Sequence, residues 1–103
     1  MAKNVAEQLV DTLEKAGVKR IYAVTGDSLN EVNEAVRKNG KIKWIHVRHE
    51  ETGAYAAAAE AQLNGELACC AGSSGPGHVH LINGLYDAQR SGAPVLAIAS
   101  TLP

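Results

Sequence analysis

Aromatic side chains are scarce in this sequence: among 103 residues there is no phenylalanine, one tryptophan and three tyrosines, a share of 4%. Without large rings the interior has to be filled by close backbone approach, which the abundant alanines and the 10 glycines permit. Such a core gains little per residue, and a domain of this size buries only about 60–65% of its unfolded surface. Help from another surface, as in a homo-oligomer, is therefore expected. Cysteine is nearly absent too. Cys69 and Cys70 are adjacent in an apolar run, where neighbouring strand side chains face opposite ways, so they read as small buried hydrophobes rather than as a disulfide framework or a Cys-x-x-Cys site. No charge dominates: ten Lys and Arg face eleven Asp and Glu, a net charge of −1, which excludes the strong basic field that draws nucleic acid. No apolar run reaches the roughly 18 residues of a membrane span. Met1-Ala2-Lys3-Asn4 passes straight into an amphipathic pattern without a signal peptide, and the expected location is cytoplasmic. A hydrophobic share of 46% against 20% charged residues suits one globular domain, or part of one.

The periodicities alternate. Val5, Leu9, Leu13 and Ala16 recur at helical spacing, with Asn4 and Glu7 in N-cap and N3 relation and Gly17 as a stop, predicting a helix over 4–16. Arg20 to Val24 is a β-rich run ending in Thr25-Gly26-Asp27, and Ser28-Leu29-Asn30-Glu31 has the form of a capping box opening a second helix that stops near Asn39-Gly40. Lys43 to Val47 reads as a second strand, Glu51 to Leu63 as an alanine-rich helix closed by Asn64-Gly65, and Leu67 to Ala71 as a third strand. The glycine-rich loop Gly72 to Gly77, a helix from about His78 to Arg90 and a strand over Pro94 to Ala99 complete the chain. Strands separated by single helices, with apolar runs, predict an α/β fold in three layers, a parallel sheet covered by helices on both faces. Ligands in such sheets bind beyond the carboxyl ends of the strands, where Gly26-Asp27, His49-Glu50, Gly72 to Gly77 and Ser100-Thr101 fall. Leu102-Pro103 follows a strand with no closing helix, so the chain reads as cut.

Familiar templates fail one by one. Gly72 and Gly77 match the outer glycines of a phosphate loop, but His78-Val79 replaces its Lys-Ser/Thr. Gly72, Gly75 and Gly77 are spaced wrongly for a dinucleotide fingerprint, and Pro76 stands where a nucleophile elbow built on Ser74 needs glycine. The loop can equally be a bare strand-to-helix turn. His78 and His80 project apart on a helix and there is no His-Glu-x-x-His, so no metal is expected to be held by the chain. Glu51 suits a first helical turn, as Glu50 also does when taken alone.

In combination the motifs are specific. Val24-Thr25-Gly26-Asp27-Ser28-Leu29-Asn30, Arg48-His49-Glu50-Glu51, Gly72-Ser73-Ser74-Gly75-Pro76-Gly77 and Leu81-Ile82-Asn83-Gly84-Leu85-Tyr86-Asp87 closely resemble the N-terminal pyrimidine-binding domain of thiamine-diphosphate enzymes, nearest to pyruvate oxidases and pyruvate:quinone dehydrogenases. The resemblance covers essentially the whole chain, residues 1–103. Acetolactate synthases share the His-Glu and Ser-Gly-Pro-Gly elements, which leaves an acetolactate synthase-like fragment open, as is a non-catalytic binding module of the same fold.

The resemblance implies roles. Glu50 matches the activating glutamate, which shares a proton with N1′ of the cofactor's aminopyrimidine and so turns the 4′-amino group into the base for the thiazolium C2 proton. Gly75, Pro76 and Gly77 match the loop against the pyrimidine, and Gly26 the turn bordering it. Asp27 and His80 would be substrate-side groups. The parent would oxidatively decarboxylate pyruvate with thiamine diphosphate, Mg2+ and FAD, possessing diphosphate-binding and flavin-type domains that this chain lacks, and could lie against the inner face of the membrane. Since the family's cofactor sits between this domain and the diphosphate-binding domain of a second subunit, the chain alone is not expected to catalyse.

Overall fold

The structure, a computed structural model, describes residues 2–102. Helix α1 (Val5–Lys15) opens with a full capping box: Asn4 Oδ1 accepts from the Glu7 amide at 2.7 Å while Glu7 Oε1 accepts from the Asn4 amide at 3.2 Å. Strand β1 (Arg20–Ala23) leads through a 3-10 turn at Asp27–Leu29 into α2 (Asn30–Asn39), then β2 (Lys43–His46), α3 (Glu50–Asn64) and β3 (Ala68–Gly72). A short α4 (Pro76–Val79), α5 (Ile82–Arg90) and β4 (Val95–Ala99) follow. The predicted stops are real: α2 and α3 end on Gly40 and Gly65, both in the left-handed region at φ 72° and 70°.

All strand pairs are parallel, in the order β2-β1-β3-β4, so the three-layer α/β reading holds. Side chains alternate across the sheet as a pleat requires. Ile21, Ala23, Cys69 and Ala71 join Val10, Leu13 and Val36 in a core under α1 and α2, whereas Ala68 and Cys70 meet Ala54, Ala57, Ala61 and Leu81 under α3 and α5. The adjacent cysteines are thus split between two cores, both fully buried.

Three local expectations need correction. The Ser28–Glu31 capping box does not form: α2 starts at Asn30 with Leu29 as its uncapped N-cap, because the chain first makes the 3-10 turn. The helix expected over 78–90 is two helices; at His80-Leu81 the turn tightens, the Leu81 amide reaching the His78 carbonyl at 3.2 Å, and Leu81 enters the core at 1% exposure. Finally α3 begins at Glu50 rather than Glu51, with His49 as N-cap.

The second core is built from alanine, and its tightness comes from one glycine. A β-carbon on Gly84 would stand 2.3 Å from Ala54 Cβ and 2.7 Å from the Ala54 carbonyl carbon, so α5 lies against α3 nearly backbone to backbone. Gly84→Ala is expected to destabilise the chain by at least about 2 kcal/mol through forced separation of these helices, measurable as a lowered denaturant midpoint; an unchanged midpoint would show that the helices slide apart freely.

Burial pushes both thiols up to about 12 from the ordinary 9.0, with Cys70 adding to the shift of Cys69. An unfolded chain loses these protons near 9.0 and the folded chain only near 12, so stability falls as pH rises through that interval. At about pH 8 a disulfide thiol reagent should leave both cysteines untouched in the folded chain and titrate both in denaturant; rapid labelling of the folded chain would contradict their placement.

Candidate functional site

The chain runs from β1 outward to β2, then returns across β1 to β3 and β4. Its topological switch point lies between β1 and β3, where α/β sheets open a crevice at the strand carboxyl ends. The turns that meet there are those singled out in the sequence. Gly26 follows β1, Glu50 begins α3 after β2, and the Gly72–Gly77 loop follows β3.

Glu50 is the best-held charged group at this edge. Its side chain is 12% exposed, and Oε1 accepts a hydrogen bond from His80 Nδ1 at 3.1 Å. His80 therefore carries its proton on Nδ1, and its ring stacks on that of His49 with centroids 4.3 Å apart and planes 28° apart. His49 is fixed in turn, Nδ1 accepting from the Glu51 amide at 3.1 Å. The second carboxylate oxygen, Oε2, makes no hydrogen bond among the described residues and lies 3.3 Å from where a β-carbon on Gly77 would be. A bare backbone thus borders the free oxygen. Asn83 Nδ2 donates to Glu51 Oε1 at 2.9 Å and ties α5 to the first turn of α3.

The loop is turned into place by Gly75 at φ 68°, a conformation open to glycine without strain, followed by Pro76 at the first position of α4. Gly26 meets this loop: a β-carbon on it would clash with Ser73 Oγ at 2.4 Å. The structure thus gathers Gly26, Glu50, Gly75, Pro76, Gly77 and His80 at one edge. Asp27 lies on the exposed 3-10 turn, with no hydrogen bond or ion pair to Glu50 or His80 among the described residues.

Several participants were not predicted as site residues. Spacing in sequence weighed only His78 with His80 as a metal pair and argued against it, whereas the fold brings ligand atoms of His49, Glu50 and His80 within 4.8 Å of one another. In this arrangement the neutral His49 ring bears its proton on Nε2, the nitrogen left free to turn toward an ion, so the cluster is organised as hydrogen-bonded support for Glu50. Ser28, Ser73, Ser100 and His78 also join the edge through hydrogen bonds. Sequence reasoning had placed the segments carrying Ser28, Ser73 and Ser100 at this edge, but nothing in it signalled the bonds between them.

A parallel sheet with a supported carboxylate at its switch point is the build of an α/β cofactor-binding domain. Residues 3–103 match the family described as thiamine pyrophosphate enzyme, N-terminal TPP binding domain, and the chain belongs to that family. It is 63% identical over 99 residues to an uncharacterised 42.6 kDa protein of Pseudomonas amyloderamosa, covering 96% of this chain and 25% of that protein. It is 47% identical over 91 residues to the pyruvate oxidase of Lactiplantibacillus plantarum, covering 87% of this chain and 15% of the oxidase. The acetolactate synthase 3 of Brassica napus is 35% identical over 98 residues, 95% of this chain and 15% of the synthase. The chain thus spans a quarter or less of the length of these relatives.

The His80–Glu50 contact predicts measurable coupling. In a double-mutant cycle on this chain, His80→Ala and Glu50→Gln should be non-additive by roughly 0.5 kcal/mol, discounted for the exposure of the imidazole; strictly additive effects in denaturant titrations would remove the pair from the account.

Proposed function

We propose that this chain forms the pyrimidine-side half of the active site of a thiamine-diphosphate-dependent, pyruvate oxidase-like enzyme. The observation that carries the reading is the Glu50 carboxyl group, nearly buried, with one oxygen engaged by His80 and the other open beside Gly77. The residues fit the cofactor's aminopyrimidine: a flat ring needs a bare wall, which Gly77 supplies, and its N1′ needs a carboxyl oxygen without another partner, which is Oε2. Gly26 with Gly75 and Pro76 would complete the wall. When bound, thiamine diphosphate supplies the carbon nucleophile and electron sink for decarboxylation of a 2-keto acid. Glu50 holds or yields the proton at N1′, and His80 keeps its carboxyl group oriented while it does so.

The higher identity to the pyruvate oxidase, 47% against 35% for the acetolactate synthase, favours pyruvate oxidation over acetolactate formation, with Mg2+ and FAD as further cofactors of the whole protein. The product separates the two: acetate or acetyl phosphate supports the oxidase, acetolactate the synthase. Among the described residues Arg48 is the one Lys or Arg in the turns at this edge, too little to grip a diphosphate, so the partner would be the diphosphate-binding domain of a second subunit in a homo-oligomer. Support comes from the rim beside His80, where Val79, Ile82 and Tyr86 are 52%, 47% and 61% exposed. We place the whole protein in the cytoplasm.

Glu50→Gln in the full-length protein should leave the fold nearly unchanged, being isosteric, and lower turnover by at least about a hundredfold, the scale of a lost proton-transfer group. Deuterium exchange at the cofactor's C2 reads the step directly. Exchange at the wild-type rate in the variant would remove Glu50 from this role.

A further inference from the structure

Ser28 sits just outside α2 and caps nothing. Its hydroxyl lies 2.7 Å from Ser73 Oγ and 2.7 Å from Ser100 Oγ, and accepts the Ser74 amide at 3.1 Å. Three segments far apart in sequence thus meet on one oxygen: the turn after β1, the loop after β3 and the residue following β4. The proton directions follow from the acceptors. Ser100 Oγ donates to the Gly72 carbonyl at 3.2 Å, so it accepts from Ser28; Ser28, with its proton so used, accepts from Ser73 as well as from the Ser74 amide. Every lone pair and proton of the Ser28 hydroxyl is then employed. His78 Nδ1 adds a bond to the Ser100 carbonyl at 2.9 Å, and the His78 amide one to the Ser73 carbonyl at 2.8 Å. The loop is therefore pinned at both ends.

We propose that Ser28 is a positioning residue of the site, which holds the Gly72–Gly77 loop at the height that sets Gly77 beside Glu50 Oε2 and His80 on Glu50 Oε1. This rests on reading Glu50 as the proton-sharing carboxyl group. Ser28 touches neither Glu50 nor any cofactor; it acts through the loop and the short α4 that the loop carries. Its partners are all partly buried rather than sealed, so water can replace a lost hydroxyl and the variant should still fold.

The test compares Ser28→Ala, Ser28→Thr and Ser100→Ala in this chain without cofactor. Amide hydrogen exchange and nitrogen NMR of the His80 ring are the readouts. Ser28→Ala should speed exchange at Ser74 and His78 at least about tenfold, the scale of one hydrogen bond lost, leave Ile21 in β1 protected, and reduce the Nδ1-protonated form of His80. Ser28→Thr, which keeps the hydroxyl, should restore both, and Ser100→Ala should reproduce the loosening in part. Unchanged exchange at Ser74 together with an unchanged His80 ring would overturn the proposal. So would equal acceleration at Ile21, since Ser28 would then serve the fold and not the site. None of these readouts involves proton transfer between Glu50 and a cofactor, so failure of the Glu50 reading appears separately, as C2 exchange surviving Glu50→Gln in the full-length protein.

Discussion

The close approach of α5 to α3 governs the geometry of everything at the sheet edge. Gly84 rests on Ala54, and each lies four residues beyond a member of the pair that matters, His80 and Glu50. His80 precedes α5, across the tightened turn at His80-Leu81, so the contact of Gly84 with the backbone and β-carbon of Ala54 anchors the segment that carries the imidazole beside the carboxylate. A larger residue at either position would spread the helices and open the 3.1 Å hydrogen bond. The scarcity of aromatic side chains and the run of buried alanines in α3 then have one explanation. Small residues allow α5 to lie close enough to α3 for the His80 side chain, just ahead of α5, to reach Glu50 at the start of α3.

Much of the fold was legible because its determinants are local. Asn4 and Glu7 are three residues apart and form the box their spacing predicts; Gly40 and Gly65 end helices where the hydrophobic period stops. The β/α alternation gave the parallel sheet, and the neighbours Cys69 and Cys70 gave its two faces. Where local and distant partners competed, sequence reasoning failed. Ser28 can cap a helix three residues on or bond across the sheet, and it bonds to Ser73 and Ser100, separated from it by 45 and 72 positions. No periodicity shows which strands will be neighbours at that point. The same holds for His49 and His80, 31 positions apart and never paired by sequence spacing, which the meeting of α3 with the end of α4 stacks. Glu50, by contrast, was found through the ordered combination of motifs and not through its own surroundings, since an acid at a helix start is ordinary.

Two kinds of force divide the work at this edge. The loop after β3 is held by neutral hydroxyls and backbone groups, a network whose bonds are short and whose donors and acceptors are matched. Glu50 is held by the His80 imidazole, which stacks on the ring of His49, and His49 is fixed in turn by the Glu51 amide. Among the described residues no Lys or Arg pairs with Glu50. Arg20, the cation that does meet a partly buried glutamate, lies at the opposite end of β1 and pairs with Glu60.

This division has an electrostatic consequence for the proposed cofactor. The turns that begin the site carry Asp27, Glu50 and Glu51, against Arg48 as the one cation in the same stretches. An edge with that balance is suited to a ring that donates or shares protons and is poorly suited to a diphosphate, whose negative charge it would repel. On the proposed reading, the neutralising charge would come from a metal ion and from the surface of another domain. On that reading, binding the cofactor and assembling the oligomer would be coupled, because one molecule would bridge a half-site for its pyrimidine and a half-site for its diphosphate. The exposed apolar rim of Val79, Ile82 and Tyr86 lies beside the polar site, where burial of its surface would add to that attraction and exclude water from the Glu50 carboxyl group as the two halves close.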